Sequence, residues 1–174
     1  MVAMGALVVY ESMFGNTRAV ADAVADGLRN FMRVDVVEVG EAPELETLET
    51  DLLVVGAPTH AFGLPRPETR RDAYERVGHP VITEGTGVRE WLASAYSVRE
   101  RLPVAVFDTH VQARVPGYAH AAAAKRLRRV GAEPLGAGMS FRVRGYEGPL
   151  LDGELHRARA WGMELGRLLG ERVA

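Results

Sequence analysis

Apolar residues along this chain fall into two alternating rhythms. Short unbroken runs, Gly5–Tyr10 (GALVVY), Asp51–Pro58 (DLLVVGAP) and Leu102–Asp108 (LPVAVFD), read as strands buried on both faces. Val34–Val39 (VDVVEV) alternates apolar with polar, as a half-exposed edge strand does. Between the strands lie segments of helical period. Asn16–Phe31 sets Val20, Ala23, Val24, Gly27, Leu28 and Phe31 on one face, with Asp22, Asp26 and Arg29 opposite. Gly87–Tyr96 reads as a helix, and Tyr118–Gly131 as a helix ended by glycine. The last helix, Asp152–Val173, has a buried stripe of Leu155, Ala158, Trp161, Gly162, Leu165 and Leu169. Glu41–Thr50 is a polar link with one helical turn, Thr59–Pro80 is loop plus a short helix, and Glu133–Gly145 is a long strand broken by glycines.

Strands alternating with helices in this way predict an α/β fold: three layers, doubly wound, with a five-stranded parallel sheet between helices. The 174 residues suit a single domain, 1–174, with a real core and no internal repeat or linker. The longest irregular stretch, Thr59–Thr86, lies inside that domain, and loops of such length in compact domains are usually functional.

Charge and composition narrow the function classes. Twenty-one basic and 23 acidic side chains leave a net charge of -2, which argues against a nucleic-acid partner. The basic cluster Ala124–Val130 (AKRLRRV) reads as the solvated face of a helix. Cysteine is absent, so disulfides, thiol chemistry and thiolate metal sites are excluded, and a reducing cytoplasm suits the chain. The apolar N-terminal run has no basic residue before it and reads as a first strand, not a signal peptide. No apolar run approaches the roughly 20 residues that span a bilayer. No hydrolase elbow G-x-S-x-G and no H-E-x-x-H metal pair is present.

In open parallel sheets, ligands bind beyond the carboxyl ends of the strands, where strand order reverses. Three loops therefore matter. The first, Glu11–Thr17 (ESMFGNT), offers hydroxyls from Ser12 and Thr17, an amide from Asn16, and tight backbone geometry at Gly15. The helix that follows points its free N–H groups and positive dipole end at this loop, so a phosphate can be held without a lysine. Ser12, Asn16 and Thr17 capping the helix accounts for the same residues. Neither G-x-x-x-x-G-K-[ST] nor G-x-G-x-x-G occurs here.

With strand Ala6–Tyr10 before it and an amphipathic helix after it, the stretch Ser12–Thr17 (SMFGNT) resembles the phosphate loop of flavodoxins, roughly [ST]-x-[ST]-G-x-[ST]. Ser12, Gly15, Asn16 and Thr17 fit that pattern. Phe14 replaces the usual hydroxyl, so beside Met13 it is left with its backbone N–H to offer. The second loop, Gly56–Pro67 (GAPTHAFGLPRP), is similar to the family's G-x-P-T-x-x-x-G loop beside the flavin ring, with Pro58, Thr59 and Gly63 matching. His60, Ala61 and Phe62 fall within it. His60 and Phe62 are candidates to cover a ring face, and core or lid packing accounts for Phe62 equally well. The third loop, Phe107–His120, falls where the family places the other side of the ring. Asp108, Thr109 and His110 face the pyrimidine end there, and Tyr118 either stacks on the ring or begins the next helix.

The resemblance spans Gly5–Leu169 and is of the short-chain type. It implies sheet order 2-1-3-4-5, non-covalently bound FMN, and electron transfer with a redox partner protein or a small-molecule donor or acceptor. The competing role is an FMN-dependent oxidoreductase of the quinone or protoporphyrinogen type. Two features favour it: the near-neutral charge lacks an acidic docking face, and Arg66, Arg70 and Arg71 flank the flavin loop in a long stretch, Pro65–Gly87, that suits anionic ligands. A flavin-free structural or regulatory domain is the third possibility, and the three loops argue against it. A phosphorelay receiver is disfavoured because Glu11 has no acidic neighbour after the first strand and GAPTH replaces a phosphoacceptor aspartate. No residue stands out as catalytic.

Overall fold

The computed structural model describes residues 4–112 and 117–174. Strands β1 (Gly5–Tyr10), β2 (Arg33–Glu38), β3 (Leu52–Pro58) and β4 (Pro103–Val111) lie in the order β2-β1-β3-β4, all parallel. Val9 pairs with Val37 on one side and Val55 on the other, so β1 sits inside the sheet and the alternating β2 forms its edge. The fifth position is shared by two pieces. β5 (Glu133–Pro134) pairs with the start of β4, and β6 (Met139–Val143) pairs with its end. The sheet thus has six strands in the expected 2-1-3-4-5 order, where five were expected.

The glycine-rich break between β5 and β6 has a steric reason. A Cβ at Gly138 would lie 2.5 Å from the His120 ring, so the chain there can pass His120 only without a side chain. Pairing with β6 also carries β4 three residues past its expected end at Asp108, through Thr109, His110 and Val111. That extension brings Thr109 and His110 to the rim of the sheet.

Helices α1 (Asn16–Leu28) and α5 (Glu154–Val173) cover one face. Their core holds Val8, Val54 and Phe107 from the sheet against Val24, Leu28, Trp161 and Leu165. Helices α3 (Val88–Ala93) and α4 (Ala119–Arg129) cover the other, packing Val88, Trp91 and Leu127 on Val9, Val55 and Val106. Odd and even residues of one strand enter different cores, which is why the central strands read as continuous apolar runs. Helix α2 (Pro67–Val77) stands at the carboxyl end of the sheet, where Ala73 packs with Met13 and Val81.

Two expectations are corrected. Helix α1 stops at Leu28, because the Asn30 side-chain amide donates to the Asp26 and Gly27 carbonyls (3.2 and 2.9 Å) and turns the chain away. Phe31 is therefore outside the helix and partly exposed, its ring over Gly166. Leu155, in the first turn of α5, is 46 % exposed, whereas the rest of its predicted stripe is buried.

Candidate functional site

The loop after β1 is held in shape by its own serine. The buried Ser12 hydroxyl accepts from the Gly15 amide (3.1 Å) and the Arg18 amide (3.4 Å), which leaves its proton to donate. Gly15 sits at the helix N-cap with φ +97°, a left-handed geometry that suits glycine. The loop is braced from outside by Ile82 and Thr83, whose amides donate to the Met13 and Ser12 carbonyls (3.0 and 2.9 Å). The amides of Met13, Phe14, Asn16 and Thr17 donate to no protein acceptor among the described residues, as expected where a helix begins.

Thr17 and Thr109 meet at the floor. Their hydroxyls are 2.7 Å apart and both residues are buried. The Asn16 side chain donates to the Glu147 carbonyl (2.9 Å), which ties the start of α1 to the loop after β6. Phe14 has more than a backbone amide to offer. Its ring packs on Tyr146 (centroids 5.3 Å apart), and the Arg76 guanidinium lies 4.3 Å from the Tyr146 ring centre.

The second loop is a tight turn. His60 and Gly63 exchange two backbone hydrogen bonds (2.9 and 3.0 Å) around Ala61 (φ 44°) and Phe62 (φ 71°). Two left-handed residues in succession are the demand of a hairpin turn that glycine or asparagine normally meets, so this loop carries strain. The Thr59 amide donates to the Thr109 carbonyl (2.8 Å), and the Thr59 hydroxyl accepts from the first amide of α4 (3.0 Å). Burial, helped by the nearby Arg70 charge, pushes the His60 imidazole down to about 4, so it is neutral at pH 7.

The third loop contains a polar network. Fully buried Asp108 accepts from the His120 ring (2.7 Å), the His120 amide (3.1 Å) and the Ser140 hydroxyl (2.7 Å). Burial alone would raise its pKa; these hydrogen bonds outweigh burial and hold the carboxyl below the usual aspartate range. His110 Nδ1 stands 3.4 Å from the other Asp108 oxygen and is buried without a hydrogen-bond partner among the described residues. Tyr118 stacks on His120 (centroids 5.6 Å apart) and meets His110 edge-on at 5.1 Å. Residues 113–116 of this loop lie outside the described residues.

The three loops converge on a cavity of about 320 Å³. Of the residues singled out in the sequence, Ser12, Met13, Phe14, Asn16, Thr17, Pro58, Thr59, His60, Ala61, Thr109 and His110 line it. Phe62 and Tyr118 line a smaller recess of about 130 Å³ that shares Thr59, Ala61, His110 and Val111 with the larger one. Gly15 and Gly63 shape the backbone, and Asp108 faces the network behind the wall. Sequence reasoning missed Thr69, Asp72 and Arg76 of α2, and Val111, Val143 and Tyr146. Tyr146, an aromatic in a polar stretch after a strand, was the one legible signal among them.

The arginines are redistributed. Arg70, expected beside the flavin, is buried and bonded to Glu11 (3.1 Å) and to Glu90. Arg66 and Arg71 are exposed and border neither recess, and from this segment Arg76 reaches the cavity instead.

A family model, flavodoxin, matches residues 8–161. The chain belongs to the flavodoxin family. As a flavodoxin it binds FMN non-covalently and transfers electrons through it. The fold is similar to that of a flavodoxin from the domain Archaea, with 20% identity and a TM-score of 0.68 over 96% of this chain and 99% of that one. Flavodoxin 1 from Bacillus cereus is similar over 94% and 97% of the two chains, with 20% identity and a TM-score of 0.65. The Streptococcus pneumoniae TIGR4 flavodoxin is similar over 97% and 99%, with 22% identity and a TM-score of 0.67. No curated protein matches the chain in sequence.

The residues present fit flavodoxin's cofactor. Unpartnered amides at a helix N-terminus suit a phosphate, and the apolar recess edged by Phe62 and Tyr118 suits a flat ring. Among the described residues no helix is long and apolar enough to cross a membrane.

Proposed function

We propose that this flavodoxin is a cytoplasmic electron shuttle of oxidoreductase type, formed by residues 1–174 as one domain, whose cavity and neighbouring smaller recess would hold FMN. In this reading Ser12, Asn16 and Thr17, with the amides of Met13 and Phe14, hold the phosphate, and Gly15 provides the turn. Pro58, Thr59, His60, Ala61, Phe62 and Gly63 form one wall of the ring site. Thr109, His110 and Tyr118 form the other, with Asp108 fixing the orientation of the neighbouring imidazoles. Bound FMN supplies the redox chemistry by taking up and giving back electrons. The chain's own residues set where it sits. The α1 dipole and the free amides neutralise the phosphate, neutral His60 adds no charge beside the ring, and buried Asp108 sets a fixed negative charge behind His110.

The carrying observation is the row of unpartnered amides at the start of α1, opening on a cavity walled by the other two loops. In the arginine-rich stretch 65–87, Arg70 is already paired with Glu11 and Glu90, and the cavity this stretch walls is lined by none of the residues of the two recesses described above.

Titration of the unloaded chain with FMN and riboflavin, followed by flavin fluorescence, tests the reading. FMN binds stoichiometrically. Thr17→Val weakens FMN by about tenfold or more, because a charge-assisted hydrogen bond is worth about 1.5–3 kcal/mol, and leaves riboflavin within about threefold. Equal losses for both flavins would remove the phosphate role from this loop. With FMN bound and reduced, protein electron carriers reoxidise it; reoxidation by quinones alone would favour the small-molecule reading.

A further inference from the structure

We propose that the face built by α3, α4 and the turn at residues 64–66 docks a redox partner protein that presents an acidic patch. The proposal rests on the shuttle reading and adds the partner's chemistry and place. Three guanidinium groups gather beside the second cofactor loop. Arg89 of α3 donates Nη2 to the Leu64 carbonyl (2.7 Å) and Nε to the Pro65 carbonyl (3.2 Å). Arg126 of α4 donates to the Arg89 carbonyl (3.2 Å), and Arg66 follows Pro65 directly. Burial, with the like charges of Arg126 and Arg66, holds the Arg89 guanidinium below the ordinary arginine range, so the three sense one another.

None of these arginines makes an ion pair among the described residues. The carboxylates nearest in influence, Glu90 and Glu11, are both engaged by Arg70. Helix α4 has no acidic residue, and Arg129, three residues after Arg126, lies on the same side of it. On a chain of net charge -2, this is a local concentration of one sign, whose mutual repulsion Glu90 and Glu11 offset in part among the described residues. Carboxylates on a partner would relieve that repulsion and steer the encounter. The position also suits the function. The Arg89 guanidinium is 3.8 Å from where a Cβ of Gly63 would stand, at the hinge of the turn that carries Phe62 into the smaller recess. A protein seated on the arginines would sit beside that recess.

The test uses the FMN-loaded chain and two protein probes, an acidic plant-type ferredoxin and basic cytochrome c. Electron transfer from reduced ferredoxin is followed by stopped flow, as is transfer from the reduced chain to cytochrome c. The ferredoxin rate is expected to fall as ionic strength rises from ~20 to ~300 mM. In Arg66→Glu/Arg126→Glu it falls by about tenfold at low salt, while FMN affinity and the cytochrome c rate do not fall. Arg66→Glu alone, at an exposed position, shows the same direction if the double variant folds poorly. An unchanged ferredoxin rate in both variants, or a wild-type rate that rises with salt, overturns the proposal. Tighter binding to a labelled DNA duplex than to immobilised ferredoxin overturns it in favour of a nucleic-acid surface. Failure of the cofactor reading is separable, because the unloaded chain still binds immobilised ferredoxin in a salt-dependent, Arg66-dependent manner when only FMN binding fails.

Discussion

Arg70 stands between Glu11 and Glu90, with Glu11 sealed from solvent and its second oxygen accepting from the Val88 amide (2.9 Å). Two carboxylates share one guanidinium, and burial pushes Glu11 up to about 7. Arg70→Met leaves both carboxylates without their cation and is expected to cost about 3–5 kcal/mol, read from urea unfolding of the unloaded chain. Gly87 makes room for the cluster, since a Cβ there would lie 2.3 Å from Arg70 Nη1 and 2.7 Å from Glu11 Oε1. The cluster was not legible in the sequence, where Arg70 looked like one of several loop arginines. Its partners come from the ends of β1 and α3, and only packing reveals that α2 turns Arg70 inward. Phe14 is the same case. Its break from the family pattern was plain, but its ring contact with Tyr146 joins residues 132 positions apart in sequence.

At the scale of elements, α1 and α5 cross where each carries a glycine. A Cβ at Gly27 would lie 2.1 Å from the Arg159 carbonyl oxygen, and one at Gly162 would lie 2.1 Å from the Val24 carbonyl oxygen. The two backbones therefore touch, and no side chain can be admitted without parting the helices. Gly27→Ala and Gly162→Ala are each expected to destabilise by about 2 kcal/mol or more, despite alanine's higher helix propensity, and this is measured by urea midpoint. Both glycines had been legible as members of apolar stripes, because a period of 3.6 marks the face that packs. The interruption of the fifth strand was legible too, as a run broken by glycines. Its division into β5 and β6 required knowing that His120 from α4 occupies the space beside Gly138.

For the whole molecule, buried Glu11 and half-buried His60 give stability opposite pH slopes. Folded Glu11 keeps its proton to about 7, whereas its ordinary value is 4.5, so the folded state binds more protons between these values. Its contribution is full below pH 4.5 and is lost as pH rises toward 7. Folded His60 titrates near 4 against an ordinary 6.5, so the unfolded state binds more protons there and stability rises with pH between those limits. The slopes oppose each other between pH 4.5 and 6.5. Glu11→Gln is expected to give an unloaded chain whose urea midpoint climbs with pH across that window, and His60→Asn one whose midpoint declines. Saturation with FMN at about 100 times its Kd should add about 2.7 kcal/mol to the wild-type chain, measured by the same unfolding. The sequence alone determined the layered α/β architecture, the order of its elements and the three loops that meet at the cavity, because periodicity and local turn chemistry act over a few residues. The tertiary structure alone decided which side chains face the cavity, which arginines are buried and which stand free beside it, and where Asp108 points. Those outcomes depend on contacts between residues distant in sequence, whose geometry exists only once the strands have paired and the helices have packed.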